Sequence, residues 1–399
     1  MPASGARASA AGQAGPGRVL VINAGSSSLK LSVVGRDSAT ADRCEIDDWD
    51  GSPGAPALRA YLRRLAASEP PDAVGHRVVH GGTRFTAATL IDDEVRAGIA
   101  GLTSLAPLHQ PRALAGIEAA ASALGPVPQV ACFDTGFHAT LAPEAYTYAL
   151  PAAWRNRFGL RKFGFHGLSH SYAARRAAEL LNISEPQQFR VVTCHLGAGS
   201  SLAAVHGGRS VETTMGFTPV DGLVMATRPG SLDPGMLVWL AGQGRIPLAD
   251  LADGLEHGSG LAALAGPSGG RGDMRAVIAA AGRGDQAAGL ALGVHAHRLV
   301  ACVAAMAAAM NGIDALVFTG GIGEHAPAVR ARAAAGLAFL GVAVDPDGNQ
   351  AAAGDADISA HGAPARTLVI TAREDAEIAR NVRQVLLGGG ASPRTGTAG

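Results

Sequence analysis

Five stretches place arginine, histidine or aspartate beside short apolar runs, framed by glycine or proline. Gly75-His76-Arg77-Val78-Val79-His80-Gly81-Gly82 sets Arg77 in a strand-like run and His80 before a glycine pair. His109 follows the turn Ala106-Pro107-Leu108, and Asp134 ends the run Val130–Phe133. Phe163-Gly164-Phe165-His166-Gly167 wraps a histidine in aromatics and glycines, and Met225-Ala226-Thr227-Arg228-Pro229-Gly230 adds a second arginine. A single such histidine reads as structural, and thirteen histidines cannot all serve function. Several polar residues at loop positions, each framed by small or rigid neighbours, describe one composite polar site. Phosphoryl transfer to a carboxylate needs this inventory. The carboxylate is already a nucleophile near pH 7 and needs no general base. The difficulty is electrostatic, because an anion must approach a polyanion and the equatorial phosphoryl oxygens must be neutralised. Arginines supply forked donors, a histidine adds hydrogen bonds, and Mg²⁺ bridges phosphates to Asp, Glu or Asn. A lone, well-framed base of the kind hydrolases use is absent from the pattern.

Three turns of small residues complete the chemistry. Val19–Asn23 leads through Ala24-Gly25-Ser26-Ser27-Ser28 into Leu29–Val34, which reads as a β-hairpin whose loop displays N–H groups and hydroxyls. The pattern recurs where Val191–Leu196 passes through Gly197-Ala198-Gly199-Ser200-Ser201 into Leu202–Val205. Gly320-Gly321-Ile322-Gly323, followed by Glu324, lets backbone approach a flat or anionic ligand without a Cβ in the way. Neither GxxxxGK[ST] nor a GxGxxG with an acidic partner occurs, so a bound nucleotide must use loops such as these.

Helices are expected near Ala57–Ala67, Arg112–Ala123, Asp233–Ala241, Ala328–Gly336, Asp375–Leu387 and over the long Gln286–Met310, which is apolar around most of its circumference, as an interior helix would be. Strands are expected at Ala73–Val79, Ala315–Phe318 and Arg366–Ile370. Alternating strands and helices with two related hairpins favour a duplicated, two-domain α/β protein with mixed sheets. The 399 residues suffice for two cores. A formal net charge of zero excludes the basic excess of a general nucleic-acid binder. No run of eighteen apolar residues suggests a membrane span. Cys44, Cys132, Cys194 and Cys302 are widely spaced and read as free thiols in a reducing compartment. Residues 1–17 and 389–399 read as disordered extensions.

Seven stretches in order, VLVINAGSSSLKLSVV (19–34), GHRVVHGG (75–82), APLHQP (106–111), CFDTGFH (132–138), KFGFHGLSH (162–170), CHLGAGSSLAAVHGGRSVETTMGFTP (194–219) and FTGGIGEH (318–325), resemble the acetokinase family of acetate, propionate and butyrate kinases. The resemblance covers residues 18–388 and implies two ribonuclease H-like domains of the actin, sugar kinase and Hsp70-like superfamily with a central cleft. The domains would be 18–167, with a C-terminal return 375–388, and a nucleotide-binding domain 168–374. It implies a cytoplasmic, homodimeric enzyme that reversibly transfers the γ-phosphoryl group of ATP to acetate with Mg²⁺, for which Mn²⁺ can substitute. By the same resemblance Arg77 and Arg228 hold carboxylate and phosphoryl group, and His166 bonds the group in flight. His109 and His195 contact substrate or phosphate. Asn23, Asp134 and Glu374 organise the metal, and Asp134 can also position an arginine. Val79, Leu108, Phe165 and Pro219 meet the methyl end of the acid. Gly197, Gly199, Asp273, Met274, Arg275 and Gly321-Ile322-Gly323-Glu324 form the nucleotide site. Three positions depart from the family pattern: Ala198 stands where Asn is common, Arg271 where a serine is usual, and Arg373 where Asn precedes the glutamate. The motifs leave propionate and butyrate open as the preferred acid, and an inactive nucleotide-binding regulatory module remains an alternative.

Overall fold

The computed structural model describes residues 15–25 and 28–388. Of the extension expected over 1–17, residues 15–17 are described and tied down. The Gly17 N–H donates to the Asp72 carboxylate at 2.7 Å, and Arg383 Nε donates to the Pro16 carbonyl at 3.1 Å. Residues 1–14, the expected tail 389–399, and Ser26 and Ser27 of the first turn lie outside the described residues.

The chain forms two compact units. One comprises residues up to Val78, Ala87–Cys132 and the chain from Ile378; the other comprises Val79–Thr86 and Phe133–Glu377. Each is organised around a six-stranded sheet. The first sheet contains β1 (Val19–Ala24), β2 (Leu29–Val34), β3 (Thr40–Ile46), β4 (Ala73–Val78), β5 (Thr89–Leu90) and β6 (Gln129–Phe133), in the order β3-β2-β1-β4-β6-β5. The second contains β7 (Arg190–Leu196), β8 (Ser200–His206), β9 (Arg209–Thr213), β10 (Ala315–Thr319), β11 (Ala356–Asp357) and β12 (Arg366–Val369), in the order β11-β12-β10-β7-β8-β9. In both, an antiparallel three-stranded meander precedes a parallel partner of its first strand, β4 beside β1 and β10 beside β7. In both, a two-residue antiparallel strand closes the far edge. The two hairpins thus begin two copies of one topology.

In the first unit, Leu20, Ile22, Leu29 and Leu31 pack against Leu58, Leu62 and Leu65 of helix Pro56–Ser68 and Ala115 and Ala119 of helix Gln110–Leu124. Each such leucine taken fully out of water contributes about 1.5–3 kcal/mol. The closing helix Glu374–Leu387 lies over Gly75, where a Cβ would come within 2.5 Å of Ile378 and 2.8 Å of Val382.

The second sheet is buried on both faces, and the period of two divides its residues. Val192, Cys194, Leu202, Ala204, Leu316 and Phe318 enter one core with helix Gln286–Ala309. Val191, Ala203, Val205, Ala315 and Val317 enter another with Ala173, Ala174 and Ala177 of helix Gly167–Leu180. Helix Gln286–Ala309 differs from expectation. By length and composition it could cross a membrane. Yet it buries one face, including Leu292, His295, Leu299 and Val303, while Gly289, Leu290, Gly293, Ala301 and Ala305 are exposed. Apart from Leu290, its outer apolar positions are held by small residues, which cost little to hydrate. None of the four cysteines is in a disulfide; Cys132 and Cys194 are buried.

Candidate active site

The face of β7–β8 directed at helix Gly167–Leu180 carries the chemistry. Thr193 and His195 share it with Val191, and in the antiparallel register Thr193 opposes Ala203 and His195 opposes Ser201. The helix supplies Ser169 and His170. Ser169 Oγ lies 2.8 Å from His195 Nδ1, and His170 lies 2.7 Å from Thr193 Oγ1 and 2.8 Å from Ser201 Oγ. His166, at the N-cap of that helix, adopts left-handed φ +56°, a conformation that costs a β-carbon-bearing residue about 1–3 kcal/mol and concentrates at working sites. This backbone turn brings its ring 4.3 Å from that of His195 in a stacked arrangement.

Two further contacts fix this turn. The Gly167 N–H donates to the Asp134 carbonyl at 3.0 Å, and a Cβ at Gly167 would stand 2.2 Å from that oxygen. Glycine is therefore required where the buried Asp134, just after β6, meets the helix start. His138 donates from Nε2 to the Phe165 carbonyl at 3.0 Å and accepts at Nδ1 from Ser210 Oγ at 2.8 Å. Burial, with Lys162 nearby, pushes the His138 pKa down to about 4, so the ring is neutral and this assignment of its proton is self-consistent.

Arg228 is delivered by the turn 225–228, in which the Met225 N–H donates to the Arg228 carbonyl at 3.0 Å. Its Nη1 donates to the Pro219 carbonyl at 2.8 Å. Burial lowers its pKa from the ordinary value, with Glu256 opposing, and at neutral pH it stays a cation. Arg228 and His166 converge over Gly199: a Cβ there would lie 2.8 Å from Arg228 Nη2 and 3.4 Å from His166 Cε1 and Nε2. Ala198 keeps a backbone role despite lacking an amide side chain, since its carbonyl accepts from the Ala226 N–H at 3.2 Å.

Beside this cluster lies a cavity of about 570 Å³ lined by Gly197, Ala198, Ala226, Arg271, Asp273, Met274, Arg275, Gly321, Ile322 and His325, among others. Gly321–His325 belong to a short helix, Gly320–His325, that follows β10 directly. Two of the expected wall residues sit elsewhere. Gly323 is buried, and the Glu324 carboxylate accepts from the N–H groups of Gly320 and Ala372, both at 3.0 Å, so it braces the helix start. Arg330, itself buried, holds the other end through the Gly323 and Glu324 carbonyls at 2.9 and 2.8 Å. Arg271 has φ +55° between Gly270 and Gly272, both also left-handed, and the Arg275 guanidinium beside Asp273 holds that carboxyl below its usual range.

Other expected site residues are placed as follows. Val79 and Phe165 are buried; His80, next to Val79, meets Phe163 and Phe165 edge-on at 4.5 and 5.5 Å. Within the first unit, Arg77 Nη1 donates to Asn23 Oδ1 at 3.1 Å, while His109 is the N-cap of helix Gln110–Leu124 and Leu108 is exposed just before it. Glu374 begins the closing helix, and Arg373 is paired with Asp375 at 2.9 Å. Among the described residues no group of three or more His, Cys, Asp or Glu could hold a metal ion.

The family model of the acetokinase family matches residues 61–380. The chain belongs to the acetokinase family. An acetate kinase of Clavibacter michiganensis is 44% identical over 390 residues, covering 91% of this chain and 97% of that one. Among solved structures, Porphyromonas gingivalis acetate kinase superposes with a TM-score of 0.85 at 33% identity, covering 92% of this chain and 99% of its own. A propionate kinase from Francisella tularensis gives 0.83 at 33% identity, covering 91% and 98%. With these acetokinase structures the chain shares the two-domain α/β fold of the actin and Hsp70 type.

The acetokinase motifs contained more than the residues singled out from sequence. His138 and His170 lie within two of the quoted stretches, and Thr193, Ser201 and Ser210 are hydroxyls on strands. Alternation along β7 would have put Thr193 on the same face as His195. No local signal marks Arg330, an arginine in an alanine-rich helix.

Proposed function

We propose that this chain catalyses reversible, in-line transfer of the γ-phosphoryl group of ATP to acetate, giving acetyl phosphate and ADP. The observation that carries the reading is the convergence of Arg228 and His166 over Gly199 beside a cavity of nucleotide size. A fixed guanidinium and an imidazole aimed at one point suit charge that builds on equatorial phosphoryl oxygens. Arg228 keeps its orientation before substrate arrives because Nη1 is held by the Pro219 carbonyl, which leaves Nη2 toward Gly199. His195 extends the donor surface next to His166. In this reading Arg77 and His109 engage substrate, and Val79, Leu108, Phe165 and Pro219 receive the methyl end of the acid.

The nucleoside occupies the cavity between Asp273-Met274-Arg275 and Gly321-Ile322, where glycines admit a flat ring. Gly197 and Gly199 offer backbone to phosphates, and Gly323 and Glu324 support the wall from behind. By the family resemblance Asn23, Asp134 and Glu374 would hold a divalent metal, Mg²⁺ by preference; an ion that retains waters needs only one or two carboxylates plus phosphates. When bound it would neutralise phosphate charge. The enzyme acts in the cytoplasm as a homodimer, and the apolar, exposed Val238, Trp239 and Leu248 suit cover by a second copy.

Hydroxylamine trapping tests the reading: ATP, Mg²⁺ and acetate should yield acetyl hydroxamate, and no product at saturating substrates would leave an inactive nucleotide-binding module instead. Comparing kcat/KM for acetate, propionate and butyrate tests the acid. A tenfold preference for butyrate, about 1.4 kcal/mol, would overturn acetate.

A further inference from the structure

Behind His166 runs a continuous hydrogen-bonded chain that the transfer step does not itself use. His166 Nδ1 lies 2.9 Å from Ser201 Oγ, Ser201 Oγ lies 2.8 Å from His170 Nε2, and His170 Nδ1 lies 2.7 Å from Thr193 Oγ1. Thr193 Oγ1 in turn donates to the Ala203 carbonyl at 3.4 Å. Thr193, His170 and Ser201 are completely buried, so water cannot substitute for a missing partner. We propose that Thr193 and His170 are positioning residues that act through Ser201 to hold the His166 proton on Nδ1 and turn Nε2 toward Gly199 and Arg228.

The sense of the chain follows from its far end. A backbone carbonyl only accepts, so the Thr193 hydroxyl spends its proton on Ala203 and presents a lone pair to His170 Nδ1–H. His170 is neutral, because burial and the neighbouring His138 and His195 hold its pKa well below the ordinary value. It therefore has one N–H, and its Nε2 must accept from the Ser201 hydroxyl. Ser201 Oγ then accepts from His166 Nδ1–H. The opposite sense would leave the Thr193–Ala203 bond unmade. The consequence for chemistry is specific: His166 can donate from Nε2 only as an imidazolium, adding positive charge beside Arg228 where the phosphoryl group is neutralised. This consequence rests on the reading of His166 as a phosphoryl contact, whereas the tautomer itself does not.

The test uses the full chain carrying ¹⁵N-histidine and long-range proton–nitrogen correlation, with the His166 signal assigned by its loss in His166→Gln. Neutral His166 should carry its proton on Nδ1. In Thr193→Val, which removes the acceptor at constant shape, His166 should shift to the Nε2–H form. There kcat should fall about 10- to 100-fold with KM values within about twofold, because His166 Nδ1 now accepts from Ser201 and disfavours the imidazolium that adds charge beside Arg228. Thr193→Ser should restore both the spectrum and kcat. A wild-type proton on Nε2 overturns the assignment even if Thr193→Val fails to fold. An unchanged kcat in folded Thr193→Val overturns the positioning role. Wild-type protein without turnover on any acid would sink the kinase reading and leave the tautomer still readable.

Discussion

Gly199→Ala isolates the geometry on which the transfer reading depends. The new Cβ would stand 2.8 Å from Arg228 Nη2, and reaching an ordinary 3.4 Å contact requires Nη2 to retreat by about 0.6 Å. Gly199 has no left-handed φ, and the atom that must yield is the far end of a side chain, so the fold should lose little. Function should lose more. Arg228 cannot swing freely, because Nη1 is held at 2.8 Å by the Pro219 carbonyl, and the same methyl touches the His166 ring at 3.4 Å. Displacements approaching 1 Å at a reacting centre cost up to about 100-fold, so a fall of about 10- to 100-fold in kcat, or 1.4–2.7 kcal/mol, is expected. The hydroxamate assay with saturating ATP and acetate reads kcat directly, and urea denaturation checks that Cm moves by less than the equivalent of about 1 kcal/mol. A kcat within twofold of wild type would show that Arg228 and His166 do not act together over Gly199.

Three further outcomes follow from other contacts. Arg228→Lys should lower kcat by about 100-fold or more, because one ammonium nitrogen cannot stand at both the Pro219 carbonyl and the point over Gly199 as the two forked guanidinium nitrogens do; a change confined to KM would refute its transfer role. Arg271→Gly should raise stability by about 1 kcal/mol in urea, since it relieves a left-handed φ, while raising KM for nucleotide; a loss of stability would show that the Arg271 side chain supports the loop. Acid should destabilise both units. His76 in the first unit and His138 and His295 in the second have folded pKa values lowered to about 4 by burial, below the ordinary 6.5. The unfolded chain therefore binds more protons, and stability present above pH 6.5 is lost as pH falls toward 4, by about 3 kcal/mol for each site. Urea midpoints independent of pH over that window would contradict these assignments.

Much of the fold was legible because hairpin signals are local. Small turn residues between apolar runs located β1–β2 and β7–β8, and the proposed strand at Ala73–Val79 ends one residue earlier, at Val78. What the pattern of residues could not give was partner choice. Nothing near Gly75 announces that Ile378 and Val382 fill the place of its missing side chain. The site was legible in the same uneven way. His166, Arg228 and Asp134 stood out by their glycine and proline frames. Thr193 and Ser201 did not, because a hydroxyl in a strand is ordinary until the register sets it opposite a helix carrying His170. Glu324 shows the same dependence on distant partners: its carboxylate accepts from the Gly320 and Ala372 backbone N–H groups, and nothing beside it in sequence announces the second.

The return of the chain to its first unit sets an order of events during synthesis. Residues up to Val78 and Ala87–Cys132 leave the ribosome early, but the segment from Ile378 that completes their unit emerges last. The larger unit, Phe133–Glu377 with Val79–Thr86, has by then its whole sequence available to fold. The amino-terminal part of the first unit must therefore wait, with the Gly75 groove uncovered, for the final helix. A premature stop near residue 370 would spare most of the later-made unit and disable the earlier one, so damage at one end of the message would surface at the other end of the protein.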